Sequence, residues 1–156
     1  MSTEPRLTLD QQRAKSALAR VQRHRKNSWA KEYRSYVRSL PLLITLNGLG
    51  QTIALELSGS GGGGNIGKGH AALLSDILSW IGSSSGWQAT PYDVGFADGE
   101  DLAGKALDLL SRLTTQDEHE MIRAQAELVA YVRWLKTLAE AMIDPRDDDG
   151  VEPVDA

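Results

Sequence analysis

The sequence predicts an all-α protein, one compact bundle of about six helices. Apolar residues recur at helical spacing over almost every long segment, no stretch alternates with the period of two that a half-buried strand requires, and helix-start signals precede several of the periodic runs. The 156 residues fit a single domain, with its core between about 8 and 144. Apolar side chains make up 41% of the chain, enough to build that core.

Thr8 with Gln11 has the pattern of a capping box, in which side chain and backbone satisfy each other at a helix start. It opens a helix from about Leu9 to Lys26 with the apolar stripe Ala14, Ala17, Leu18 and Val21. At about 100° per residue, Arg13, Ser16, Arg20, Arg23, His24 and Asn27 fall on an arc facing away from that stripe. Asn27-Ser28 reads as a break and a new N-cap. In the next helix, about Trp29 to Ser39, Trp29, Tyr33, Tyr36, Val37 and Leu40 share one face. Lys31, Arg34 and Arg38 share another, spaced i, i+3 and i+7.

Proline disrupts a helix interior but suits a first turn, so Pro41 is expected to start a third helix. That helix would run to Leu57 with the stripe Leu42, Leu46, Leu49, Ile53 and Leu57. Ser58 to Gly69 is glycine-rich and reads as a flexible loop with little apolar surface to bury. A helix from about His70 to Ile81 ends at Gly82, and Ser83 to Gly99 forms a second loop. About Glu100 to Leu113 is helical. Thr115 with Glu118 repeats the capping-box pattern ahead of the longest helix, about Gln116 to Ile143. That helix carries two stripes, Met121, Ala124, Leu128, Val132, Leu135, Ala139 and Met142, and Tyr131, Trp134 and Leu138, which places it at the centre of the bundle. Residues 145–156 read as a disordered acidic tail. The core is expected to centre on Leu46, Leu49, Ile53, Leu128, Val132 and Leu135.

Most forms of chemistry lack their residues. The absence of cysteine removes disulfides and thiolate metal sites and is in keeping with a reducing, cytoplasmic setting. The polar start MSTEPRLTLD has no apolar run of the signal-peptide kind. The longest apolar-rich stretch, Leu40 to Leu57, is interrupted by Asn47, Gly48, Gly50, Gln51 and Glu56, too polar for a membrane span. Gly62-x-x-x-x-Gly67-Lys68 imitates a phosphate-binding P-loop, but Gly69 stands where the Mg²⁺-binding hydroxyl belongs and no strand precedes it. His24, His70 and His119 lie far apart, outside any metal-binding frame. Asp117, Glu118 and Glu120 read as acids on a first helical turn, where the macrodipole favours them. No serine sits in a nucleophile elbow. The expectation is a protein without catalytic set, metal or cofactor.

Charge is the informative feature. Residues 1–40 hold ten Lys/Arg against three acids, a net +7, while residues 41–156 carry −11. A basic first quarter on an acidic body suggests a face made for a polyanion, although charge alone leaves an ordinary solvated surface open. The candidate polyanion-binding residues are Arg20, Arg23, Lys31, Arg34 and Arg38, with Arg13 and Lys26 beside them. Gly48 and Gly50, with Asn47 and Gln51 at i and i+4, suggest either close helix packing or a bare surface for a neighbouring subunit. Trp29, Tyr33 and Tyr36 have the chemistry to stack on bases, but their shared apolar face favours core packing.

Three blocks together resemble a known family. They are Gln12-Arg13-Ala14-Lys15-x-Ala17, then Tyr33-x-x-Tyr36-x-x-x-Leu40-Pro41-x-x-Ile44-x-x-Asn47-Gly48-Leu49-Gly50-Gln51-Thr52, and Ala130-Tyr131-x-x-Trp134-Leu135-Lys136-x-x-Ala139-Glu140-Ala141. In order and content they resemble the small subunit of the type III-B CRISPR effector, the Cmr complex. The glycine-rich segment departs from that pattern as an insertion, and Met121 and Gln125 replace an aromatic and a small hydroxyl residue. The resemblance implies an all-helical, non-catalytic subunit present in several copies. The copies would stack head to tail beside the backbone filament and line the channel for target RNA. Partners would then be target RNA, the guide–target duplex, copies of itself and the backbone subunit, with no membrane. The residues alone keep a second reading open, a helical adaptor whose basic face meets an acidic protein.

Overall fold

Six α-helices and no strand make up the regular structure of the described residues, 5–87 and 92–146, in a computed structural model. They are α1 (Leu9–His24), α2 (Ala30–Asn47), α3 (Leu49–Ser60), α4 (Gly64–Ile81), α5 (Leu102–Leu113) and α6 (Glu118–Met142). The first capping box forms as expected: Gln11 N donates to Thr8 Oγ1 at 3.1 Å and Thr8 N donates to Gln11 Oε1 at 2.8 Å. The second does not. Asp117 caps α6 by accepting from Glu120 N at 3.1 Å, and Thr115 Oγ1 donates back to Arg112 O at 3.0 Å. A carboxylate nearer the helix satisfies the same orphan amides and adds charge complementarity to the dipole. Ser28 is not a cap either. Its hydroxyl donates to Asn65 Oδ1 at 3.2 Å, and Asn65 Nδ2 donates back to Ser28 O at 3.2 Å, tying the α1–α2 turn to α4.

α2 continues through Pro41. The missing amide removes one helical hydrogen bond, but Tyr33, Val37, Leu40 and Ile44 form one unbroken buried stripe, which holds the helix on both sides of the proline. The chain breaks instead at Gly48, whose φ of 85° lies in the left-handed region that glycine tolerates. Gln125 Oε1 accepts from Leu49 N at 3.0 Å and Thr52 Oγ1 donates to Gly48 O at 2.7 Å, so both sides of the break are satisfied.

Moving the break re-phases the stripe. Leu49, Ile53, Leu128, Val132 and Leu135 are in the core as expected, but Leu46 is 70% and Leu42 is 62% exposed. Both belong to α2, whose register buries Leu40 and Ile44 instead. Leu46→Ser is therefore expected to change stability by no more than about 0.5 kcal/mol, as at an ordinary surface position. Urea denaturation measures it, and a loss of several kcal/mol would contradict the exposed placement.

The glycine-rich segment is mostly helix. α3 continues to Ser60 and α4 starts at Gly64, leaving 61–63 as the link between them. A Cβ on Gly69 would lie 3.0 Å from Tyr36 Cε2, 3.1 Å from Glu32 Cβ and 3.2 Å from Tyr33 N. Glycine here lets α4 cross against α2 at backbone distance.

α6 packs against α1, α2 and α4, as its two stripes imply, and α4 is a second centre in contact with α2, α3, α5 and α6. The loop after α4 is pinned to the core by Trp87, Tyr92, Val94 and Phe96, all buried. Val94 N and Phe96 N both donate to Gly82 O, at 3.0 and 3.2 Å. The acidic tail from residue 147 onward lies outside the described residues.

Candidate nucleic-acid interface

Part of the polar arc of α1 turns inward rather than toward solvent. Arg20 is buried; its Nε donates to Asp76 Oδ1 at 2.6 Å, and its Nη1 and Nη2 donate to Asp98 at 2.7 and 3.1 Å. Asp76, fully buried on α4, also accepts from Tyr33 OH at 2.6 Å and lies 2.8 Å from His24 Nε2. Arg13 grips Glu127 of α6 with Nε and Nη2, both at 2.7 Å, and Trp80 Nε1 donates to the same carboxylate at 3.0 Å. Ser16 and Tyr131 hydroxyls meet at 2.9 Å. The expectation that this whole arc is open surface is thus corrected for Arg13, Arg20 and His24. α1 lies across both α4 and α6, and α1 meets them with guanidinium groups whose carboxylate partners sit far away in sequence.

Burial opposes the charge on Arg20, but Asp76 and Asp98 more than offset this and hold it protonated more firmly than a free arginine. Burial, and then the Asp76 carboxylate, keep the Tyr33 hydroxyl protonated well above the usual phenol range. Asp98 is raised by partial burial and lowered by hydrogen bonds from Arg20 and Arg23, with a net fall below its ordinary 3.8. A depressed carboxyl contributes stability that is present above 3.8 and lost as pH falls through the lower folded value. Asp98→Asn is expected to lower the melting temperature at neutral pH and to flatten its decline on acidification. Thermal melts across acid pH measure this, and an unchanged acid slope would contradict it.

Lys26, Arg34 and Arg38 lie outside this network. Lys26 and Arg38 are exposed, and Lys31 and Arg34 are half-buried. Lys31, Arg34 and Arg38 follow one side of α2, next to the end of α6. There Arg38 Nε stands 3.9 Å from Glu140 Oε1, and Arg34 acts on Asp144 only through space. The Nε of Arg34 is buried without a hydrogen-bond partner. Arg23 shares Asp98 with Arg20 at 2.8 Å and remains exposed.

The four residues singled out for a subunit contact divide as well. Gly48 is used by the α2–α3 break, and Gly50 faces Leu110 of α5, 3.9 Å from where its Cβ would be. Asn47 and Gln51 are exposed, as are Leu42 and Leu46. The role of Gln125 as a cap for α3 has no signal in the sequence, because only the tertiary fold brings α6 to Leu49.

Among the described residues no three His, Asp or Glu side chains gather as a metal site. His70 is occupied internally: Nδ1 lies 2.7 Å from Glu56 Oε2 and the ring stacks on Tyr36 at 3.7 Å. Burial raises the Glu56 carboxyl, and His70 opposes that rise. No helix of the described residues is long and apolar enough to cross a membrane.

The profile of the family described as CRISPR-associated protein (Cas_Cmr5) matches residues 9–142. Among solved structures, the crystal structure of a CRISPR-associated Cmr5 family protein from Thermus thermophilus is similar to this chain with a TM-score of 0.63 and 23% identity. The match covers 88% of this chain and 100% of that one, and at this identity it speaks for the fold. No curated protein matches the chain.

Proposed function

The chain belongs to the Cas_Cmr5 family of CRISPR-associated proteins, the small subunits of the type III-B Cmr complex, and on that basis we propose that it is a non-catalytic subunit that holds target RNA by its backbone. Copies stack head to tail beside the guide-carrying filament in the cytoplasm. Base pairing with the guide reads the sequence, so this subunit needs only to recognise phosphates and duplex shape. The observation that carries the reading is the row Lys31, Arg34 and Arg38 on one side of α2, with Lys26 beyond its start. The carboxylate nearest Arg38, Glu140, stays at the long distance of 3.9 Å. Arginine suits this task because its planar fork donates two hydrogen bonds to one phosphate. Arg13 and Arg20, spent on Glu127 and Asp76, support the fold instead; Arg23 stands at the margin.

Asn47 and Gln51, with Leu42 and Leu46, supply one of the two unlike contact patches that a stacked subunit needs. Such heterologous contacts extend a row and do not close into a dimer.

Reversing the charge of Lys31, Arg34 and Arg38 together is expected to weaken target-RNA capture by the assembled complex about tenfold at any RNA sequence. It should also flatten the salt dependence, which has a log–log slope of about −0.7 per single-strand phosphate contact. Folding and guide loading should be unchanged. If the triple variant captures RNA like the wild type, and another subunit instead fails to assemble, the basic row is a protein contact and the adaptor reading replaces this one.

A further inference from the structure

Lys68, the lysine of the P-loop-like run, takes no part in the ion-pair network of α1. The structure sets it on the second turn of α4, at a cleft of about 390 Å³ where the end of α1, the α1–α2 turn, α4 and residues 98–99 meet. That volume lies in the range of small-ligand sites. Arg23, Asn27, Trp29, Lys68, Ser75 and Asp98 supply its chemistry, and Ala71, Ala72 and Gly99 keep it open.

The charges do not cancel. Asp98 already accepts two bonds from Arg20 and one from Arg23, so it is neutralised from within the protein. Arg23 spends Nη1 on that carboxylate, leaving Nε and Nη2 to donate elsewhere. Lys68 is exposed and has no carboxylate partner among the described residues. Trp29 is half-buried and held in place by His24 at 5.2 Å and Tyr33 at 6.4 Å, ring to ring. Asn27 uses its amide N–H on the carbonyls of Arg23 and His24, which leaves Oδ1 to accept. A simple anion would engage only the two cations. Cations, an indole, an acceptor and a hydroxyl in one cleft match an anion attached to a flat, polar-edged ring.

We propose that this cleft is a nucleotide subsite, taking one nucleoside-phosphate unit of single-stranded RNA with its phosphate between Arg23 and Lys68 and its base against Trp29. It rests on the RNA-binding reading above but uses residues off the α2 row. Aromatic stacking tolerates any base, as a subunit that leaves sequence to the guide requires.

The test uses the full chain, a short oligouridylate and uridine 5′-monophosphate, read by tryptophan fluorescence and by anisotropy of labelled RNA. Oligouridylate is expected to quench a component of the emission that Trp29→Leu lacks. Lys68→Glu, at an exposed position, is expected to weaken RNA binding by roughly fivefold with an unchanged melting temperature. Because Trp29→Leu can loosen the fold, Trp29→Phe provides the second variant and should retain binding. Much tighter binding of the oligonucleotide than of the monophosphate assigns the site to an RNA strand. Quenching by the monophosphate without any by the oligonucleotide overturns that assignment. If Lys68→Glu and Trp29→Leu bind RNA like the wild type while the α2 triple reversal weakens it, the cleft is not the site and the RNA reading stands. If neither the wild-type chain nor the assembled complex with this subunit cross-links its RNA to this chain, both readings fall.

Discussion

Asp76→Ala is expected to destabilise the protein by about 3–5 kcal/mol, the range for breaking a buried ion pair on one side only. Asp76 is fully buried and is the shared acceptor of Arg20 and Tyr33, with His24 at the same carboxylate. Removing it leaves a buried guanidinium with only the more exposed Asp98, and a buried phenol and imidazole with no acceptor there. Asp76→Asn keeps one carbonyl oxygen and should lose less. Denaturant unfolding of both variants measures this. A loss under about 1 kcal/mol for the alanine variant would mean that water or rearrangement satisfies the cluster.

Gly69→Leu is expected to cost about 3 kcal/mol, the upper end of overpacking effects. Two of its three nearest neighbours, Glu32 Cβ and Tyr33 N, sit on or next to the backbone of α2 and cannot rotate away. Gly63 in the same run offers the contrast: it has a φ of −79°, and a Cβ there would meet nothing within 4 Å. Gly63→Ala should therefore be neutral or stabilise by about 0.4–1 kcal/mol through the unfolded chain. Equal effects at the two positions would contradict the close α2–α4 crossing. For the same reason, exchanging residues 58–69 for a short Gly-Ser link, harmless to a plain loop, is expected to lose the start of α4 and with it the packing of Gly69 on Tyr33 and Tyr36.

The sequence and the fold agree wherever local signals decide the outcome. The number and class of the helices, the Thr8 capping box, the burial of Leu49, Ile53, Leu128, Val132 and Leu135, and the central place of α6 follow from periodicity and cap chemistry. The three sequence blocks also point to the family that the profile over residues 9–142 identifies. Of the basic residues, periodicity located the α2 row correctly as one face. It offered no sign that Lys68 and Arg23 share a cleft with Trp29, since they come from separate helices and a turn.

Local sequence settles most helices as amphipathic objects, each with an apolar stripe and several with a readable cap. Long-range packing settles where the chain breaks and which polar side chains face inward. Pro41 is the stronger local breaker, but the buried stripe of α2 spans it, and the turn falls at Gly48, where α6 supplies Gln125 as a cap. Arg20 looks like a surface arginine until α4 brings Asp76 to it from 56 positions away. An apolar side chain favours burial whatever surrounds it, so its place can be read locally. A charged side chain is stable in the interior only beside its counter-charge, and where that counter-charge lies is a property of the folded chain.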